Sequence, residues 1–349
     1  MAAVNTDKTV LLTGAGGWIG SALARAIASV SPRFLILLDN SEGNLHQIRT
    51  ELAAVANSAS HTAILGDVSD RALIAEIFET HRPQIIYHAA AFKHVPLMEI
   101  NPIAAVRNNA VGTGRLARAA CEQEAEKFIM ISTDKAVNPR SVMGASKRVA
   151  ELALERCRGA HCEMKAVRLG NVLGAYGSVV PLFLEQIARG GPVTVADPEA
   201  SRYFLTLNEA VELILGAAEL TDGDGIFVPE LGEPIKIVEL ARQLILRAGR
   251  KPEIEIPISF SGLRPGDKLT EELASNSETL KPTGDARLSR VSGSSVSPAE
   301  FDVAIAKLAE DVGARDINSL LKTLCRLVPE YEPSETVLQQ LRRARAAGI

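Results

Sequence analysis

Short apolar runs recur through the first part of this chain at residues 9–12, 34–38, 62–65, 85–88 and 128–131, and the stretches between them carry helical periodicity. That alternation constrains the fold more than any other feature. Strands separated by helices run in the same direction, so they form βαβ units and a mostly parallel sheet covered on both faces. The spacing predicts helices over 19–29 and 71–80, one long helix from Pro102 through Leu116 to Ala125, and another from Val142 to Cys157. A sixth strand-like run at 165–169 stops at Gly170.

The pattern then changes. Gly174, Gly177, Pro181, Gly190, Gly191, Pro192 and Pro198 follow in close succession and signal irregular loops, which often carry binding surfaces. Helices are expected over 207–220 and 235–248, with a tight polar loop at 262–268. Ser297 before Pro298 reads as an N-cap and a first helical residue, opening three helical stretches. The expected organisation is a unit at 1–175, a smaller interleaved lobe at 176–290 with some helices packed back on that unit, and a helical extension at 291–349.

Composition removes several classes of function. The 38 Lys and Arg residues against 42 Asp and Glu give a net charge of −4 with no basic block, so no nucleic-acid partner is expected. Cys121, Cys157, Cys162 and Cys325 form no Cys-x-x-Cys pair and read as reduced thiols. The histidines are scattered, so no metal site is expected. The N-terminus is polar, and Gly14, Gly16 and Gly17 break the apolar run that follows, so neither a signal peptide nor membrane insertion is expected. A cytoplasmic protein is the corresponding expectation.

The first run leads into Gly14-Ala15-Gly16-Gly17-Trp18-Ile19-Gly20, a G-x-x-G-x-x-G turn that opens the first helix. Glycines there permit a tight turn, bring backbone N–H groups to a diphosphate and let the helix pack on the strand. The second run ends in Asp39, placed to accept hydrogen bonds from a ribose. Strand, turn, helix and acid together point to a dinucleotide site. Asp39 would repel a 2′-phosphate, which favours NAD, with NADP as the alternative. Asp67 and Val68 are placed beside the adenine, although Asp67 reads equally well as a helix N-cap. Ala89, Ala90 and Ala91 are small where the backbone must lie close to the cofactor, or simply where packing is tight.

The fifth run ends in Ser132-Thr133-Asp134-Lys135, at the sheet edge where ligands bind in such architectures. A hydroxyl, a carboxylate and an ammonium in succession point to chemistry, a surface ion pair being the bland alternative. Met143 and Lys147 follow on one helical face.

These residues, with HAAAFKHVPLME (88–99), STDKAVNP (132–139), GNVLG (170–174), GSVVPLF (177–183), SRYF (201–204) and LRPGDK (263–268), resemble the extended short-chain dehydrogenases/reductases. Within them the chain is similar to the polysaccharide-biosynthesis group of UDP-N-acetylglucosamine 4,6-dehydratases. The resemblance implies a Rossmann-type doubly wound α/β sheet with a smaller interleaved α/β substrate lobe and a helical C-terminal tail. It also implies that Met143 stands where relatives usually carry the tyrosine of Tyr-x-x-x-Lys. Tyr87, Tyr176, Tyr203 and Tyr331 are followed four residues later by Ala91, Val180, Leu207 and Glu335, so no tyrosine replaces it.

A thioether carries no proton, so the resemblance moves the acid–base work to Lys135 as base at sugar C5 and Asp134 as acid toward the C6 hydroxyl, each with its pKa displaced toward neutrality. Thr133 would then hold the C4 hydroxyl, Met143 would pack beside the reactants, and Lys147 would bind the nicotinamide ribose. Asn171, Arg202 and Arg264 are candidates for the UDP-sugar, with Val179 and Pro181 as an apolar wall for uracil. Lys93 and His94 read either as substrate contacts or as solvated surface. A UDP-sugar 4-epimerase and a catalytically silent NAD-binding sensor or scaffold are the other readings. A homo-oligomer is expected through the helices after Pro102 and Met143.

Overall fold

A computed structural model describes residues 3–55, 59–159, 161–175, 177–293 and 297–346. Its six leading strands are β1 (Thr9–Thr13), β2 (Phe34–Asp39), β3 (His61–Leu65), β4 (Ile85–His88), β5 (Lys127–Thr133) and β6 (Glu163–Leu169). They pair in parallel in the order β3-β2-β1-β4-β5-β6. Val10, Leu11, Leu12, Leu35, Ile36, Leu37, Leu38, Ile85 and Ile86 have no exposed surface, as strands sandwiched between two helical layers require. The order reverses between β1 and β4, and ligands bind in such sheets at the carboxyl ends beside that reversal.

Helices α1 (Trp18–Ala28), α2 (Glu42–Ala54) and α3 (Arg71–His81) connect the first strands. The N-cap of α3 is Asp70, whose carboxylate accepts from Ala72 N at 2.9 Å and Leu73 N at 3.2 Å. Asp67 instead accepts from Ser69 N at 2.7 Å in a local turn, which corrects its reading as an N-cap.

The long helix expected from Pro102 is three pieces after α4 (Val95–Glu99). These are α5 (Pro102–Ala105), a π-helical segment Val106–Gly112, and α6 (Thr113–Glu122). The Asn109 side chain of the widened segment accepts from Phe92 N at 2.8 Å and donates to Phe92 O at 2.9 Å and Ser146 Oγ at 3.1 Å. Apolar periodicity cannot register such a turn, because it is fixed by a polar side chain reaching the loop after β4. Ser146 lies on α7 (Val142–Arg156), so the same amide also fixes that helix.

Beyond β6 come β7 (Asn171–Val172), α8 (Val179–Ala188), β8 (Val193–Val195), β9 (Ser201–Arg202), β10 (Phe204–Leu205), α9 (Leu207–Glu219), β11 (Gly225–Pro229), β12 (Ile235–Lys236), α10 (Ile237–Arg247), β13 (Ile258–Phe260), β14 (Thr279–Pro282) and β15 (Leu288–Ser292). The interval 176–290 is therefore no contiguous lobe. Strand β11 extends the main sheet in parallel beside β6, and β15 and β14 add antiparallel edges. Helix α9 packs on α1. What stands apart is a small core of Phe183, Ile187, Val193, Val195, Val238, Ala241 and Ile245 from α8, β8 and α10.

Helices α11 (Pro298–Ala314), α12 (Ile317–Leu327) and α13 (Glu335–Ala346) complete the chain. Phe301, Leu308, Leu320, Leu321 and Leu324 pack into one core with Ile103, Val106, Val111, Val142, Val149 and Leu152. The apolar faces after Pro102 and Met143, expected to meet a second copy, are thus covered by the chain's own extension. Glu99 ties the two parts, accepting from Val142 N at 2.7 Å and from the Ser334 hydroxyl.

Candidate active site

The glycine turn joins β1 to α1. Gly14 has φ +66°, and a Cβ there would lie 2.6 Å from Ala90 N, so the turn packs directly on the Ala89–Ala91 backbone after β4. A Cβ on Gly20 would lie 1.9 Å from Gly14 O, which explains why α1 can start so close to the strand. Gly17 caps α1 with no side-chain hydrogen bond, leaving first-turn N–H groups at Trp18 and Ile19 to face an anion. Asp39 accepts from Gly16 N and Ser41 N, each at 2.8 Å, one per carboxylate oxygen. It locks the turn to the end of β2 and keeps a second lone pair on each oxygen. Val68 is buried on the same side of the sheet as Leu38. Uncapped donors, a fixed acid and a small-residue floor fit a dinucleotide.

Behind the turn, His88 accepts or donates at 2.7 Å to Thr13 Oγ1 and at 2.8 Å to Thr113 Oγ1. Complete burial and the Lys147 charge push its pKa down to about 3, so it is neutral. Lys147 Nζ donates to Ile131 O at 2.7 Å, and burial brings its pKa down to about 8 against the opposing pull of Glu151.

At the end of β5, Asp134 is fully buried and accepts through Oδ1 from Thr133 Oγ1 and Lys135 Nζ, both at 2.9 Å. Its Oδ2 is buried without a hydrogen-bond partner among the described residues. Lys135 Nζ also donates to Asn171 Oδ1 at 3.2 Å. This is no surface ion pair. Burial pulls Lys135 down, but the Asp134 and Glu271 carboxylates more than offset it, so its pKa lies above that of an ordinary lysine. That corrects the expected displacement toward neutrality. Met143, one turn from Lys147, is buried in the core shared with the C-terminal helices.

Arg202 corrects another expectation. Its guanidinium donates to Ser201 O at 2.7 Å, Leu269 O at 2.9 Å and Lys268 O at 2.7 Å, so it pins the 262–271 loop and most of its fork is unavailable for a diphosphate. Arg264 is exposed, with only its Nε held by Asp267 at 2.7 Å. Partial burial and the nearby charges of Lys93 and Arg264 push His94 down. Val179 is half-buried and Pro181 exposed in the first turn of α8.

Glu271 escaped sequence reasoning, and Lys268 entered it only as the last residue of the LRPGDK stretch. Glu271 Oε1 lies 3.5 Å from Lys135 Nζ and 3.6 Å from Arg202 Nε. The only sequence signal was proximity to the LRPGDK stretch, since an acidic pair such as Glu271-Glu272 ordinarily lies on the surface.

A parallel sheet with a β3-β2-β1-β4-β5-β6 order, a glycine turn at its switch point and a Lys-bearing helix beside β5 define an extended short-chain dehydrogenase/reductase. The chain belongs to the polysaccharide biosynthesis protein family, whose model matches residues 10–292. It is 49% identical over 276 residues, 78% of its length, to capsular polysaccharide biosynthesis protein CapD of Staphylococcus aureus. It spans 46% of that protein, about half. A UDP-glucose 4-epimerase of Rickettsia rickettsii is 34% identical over 287 residues, covering 79% of this chain and 80% of that one. The solved structure of Pen from Bacillus thuringiensis has a TM-score of 0.72 and 27% identity, over 86% of this chain and 98% of the other. No helix among the described residues is long and apolar enough to cross a membrane.

Proposed function

We propose that the chain is a lyase that removes water from a UDP-sugar, UDP-N-acetylglucosamine or a close relative, by 4,6-dehydration. The observation that carries this reading is the pair of buried Asp134 and half-buried Lys135 at the end of β5, beside a helix in which Met143 stands in place of the usual proton-carrying tyrosine. Gly14, Gly17, Trp18, Ile19, Gly20, Asp39 and Lys147 would hold NAD. When bound, NAD supplies a hydride acceptor that takes hydride from C4 and returns it at C6. The proton work falls to this chain.

Lys135 and Asp134 can do it as a unit. Transfer of one proton across their 2.9 Å hydrogen bond converts ammonium and carboxylate into an amine and a carboxylic acid. The amine removes the C5 proton, the C5–H electron pair forms the C5–C6 double bond, and the C6–O bond breaks. Asp134 gives its proton to the departing hydroxyl, which leaves as water. The pair returns to ammonium and carboxylate, and the proton released from the C4 hydroxyl on oxidation is matched by the proton taken up at C5 when hydride arrives at C6, so protons balance over the cycle. Thr133, which donates to Asp134, orients that carboxyl and faces the sugar. Lys93 and Arg264 provide cationic contacts for the diphosphate and His94 a neutral hydrogen-bonding one, with Asn171 near the sugar.

A 4-epimerase is the second reading, favoured by the Rickettsia relative. It needs oxidation and re-reduction at C4 without elimination. Product mass after incubation with UDP-N-acetylglucosamine and catalytic NAD separates the two: loss of water supports dehydration, and unchanged mass with a new sugar refutes it. An unchanged substrate would favour the silent NAD-binding protein. A homo-oligomer belongs to the same proposal, on a surface other than the covered faces of α5 and α7; light scattering at micromolar concentration tests it, and a monomeric mass removes it.

A further inference from the structure

The segment after Phe260 crosses the carboxyl edge of the sheet without regular structure, yet its backbone is fixed at several points. Ser201 N donates to Leu269 O at 3.0 Å, the Arg202 fork holds Lys268 O and Leu269 O, and Lys268 Nζ donates to Val137 O. These ties deliver the Glu271 side chain into the interior with 2% exposure. There it meets three cations: Lys135 at 3.5 Å, Arg202 at 3.6 Å and Lys268 at 3.7 Å. None of these separations is a hydrogen bond by length, and Glu271 Oε2 is buried with no partner among the described residues.

A buried carboxylate in that state is costly, since its neighbours attract it without replacing the hydrogen bonds of water. Folding alone gives no reason to keep it. The reason lies in what it faces. Lys135 has two carboxylates within reach, Asp134 at 2.9 Å and Glu271 at 3.5 Å. The charged groups around Lys135 are Asp134, Glu271 and Arg202, and those around Glu271 are Lys135, Asp134, Arg202 and Lys268, with Glu272 facing Lys268.

We infer that Glu271 is a positioning residue for Lys135: it holds the ammonium when Asp134 is protonated and sets the pH range in which Lys135 exchanges protons. The catalytic consequence rests on the proposed acid–base role of Lys135; the electrostatic link between the two side chains does not. Glu271→Gln keeps the shape and removes one of the two negative charges. Lys135 then titrates about 1–3 pH units lower, the range for an opposite charge at such distances. Glu271→Asp restores part of the shift.

The test is an NMR titration of the full chain labelled at lysine Cε, with the Lys135 resonance assigned through Lys135→Arg. A lower midpoint in Glu271→Gln than in the wild type, with recovery in Glu271→Asp, supports the inference. Equal behaviour of wild type and Glu271→Gln across the folded pH range overturns it. In parallel, the rising limb of kcat/KM against pH is expected to move acidward in Glu271→Gln with UDP binding retained. A fall in kcat/KM without movement of the limb reduces Glu271 to a structural role. If the wild type yields no dehydrated product, the functional reading fails while the titration still judges Glu271.

Discussion

Two buried charge clusters sit within a few residues of each other, and they are built in opposite ways. Around Arg168 on β6, Glu151 accepts from Ser132 Oγ at 2.6 Å, Arg168 Nε and Nη2 at 2.9 Å and Arg148 Nη1 at 3.0 Å. The Arg168 fork also grips both oxygens of Glu278, at 2.8 and 2.9 Å. Every carboxylate oxygen there is bonded. Burial pushes Glu151 up, and the arginines more than reverse it, bringing its pKa down to about 2. One strand-end away, Asp134 and Glu271 each leave an oxygen bare. A cluster whose carboxylate oxygens are all bonded holds elements together; a cluster with bare ones has somewhere to put a proton.

The contrast can be broken from either side. The largest effect is expected from Lys135→Ala, which should cut turnover on the order of 10²–10⁴-fold while calorimetry still shows NAD and UDP binding. Glu151→Ala should instead cost about 3–5 kcal/mol of stability by stranding Arg168, read as a lower Tm, with any folded fraction retaining turnover. Should Lys135→Ala unfold the protein and Glu151→Ala leave its Tm untouched, the two clusters have been assigned the wrong way round.

The paired cluster also predicts an acid limit. Glu151's pKa is depressed in the fold, so its contribution is complete above its ordinary 4.5 and is lost as pH falls toward about 2. Glu151→Gln should flatten stability over that window in urea titrations at stepped pH. A smaller effect concerns Lys147, whose charge is lost as pH rises through about 8. NAD affinity should weaken across that range in the wild type and stay level in Lys147→Met. Met143→Leu should change least, less than about 1.5 kcal/mol in stability and only a few-fold in turnover, since packing alone is altered.

The difference between the clusters also explains what the sequence disclosed. The strand alternation, the glycine turn and the Asp134-Lys135 dipeptide are local patterns, and each lies where periodicity and motif spacing put it. Glu271 lies far along the chain from Lys135 and reaches it through a loop with no period, held by Arg202 and Lys268. No local pattern reports such a contact. Arg202 was misjudged for the same reason, because a fork that binds diphosphate and a fork that pins carbonyls read alike until the carbonyls are placed. The extension hid in a similar way: the apolar faces of α5 and α7 were legible, but not that α11 and α12 of the same chain would cover them.

Mass analysis of the product formed from UDP-N-acetylglucosamine in deuterated water, with NAD in catalytic amount, tests the central claim most directly. The account predicts a sugar that has lost water, carries solvent deuterium at C5 and forms without net NADH. A product of unchanged mass, or NADH accumulating in step with product, would contradict it.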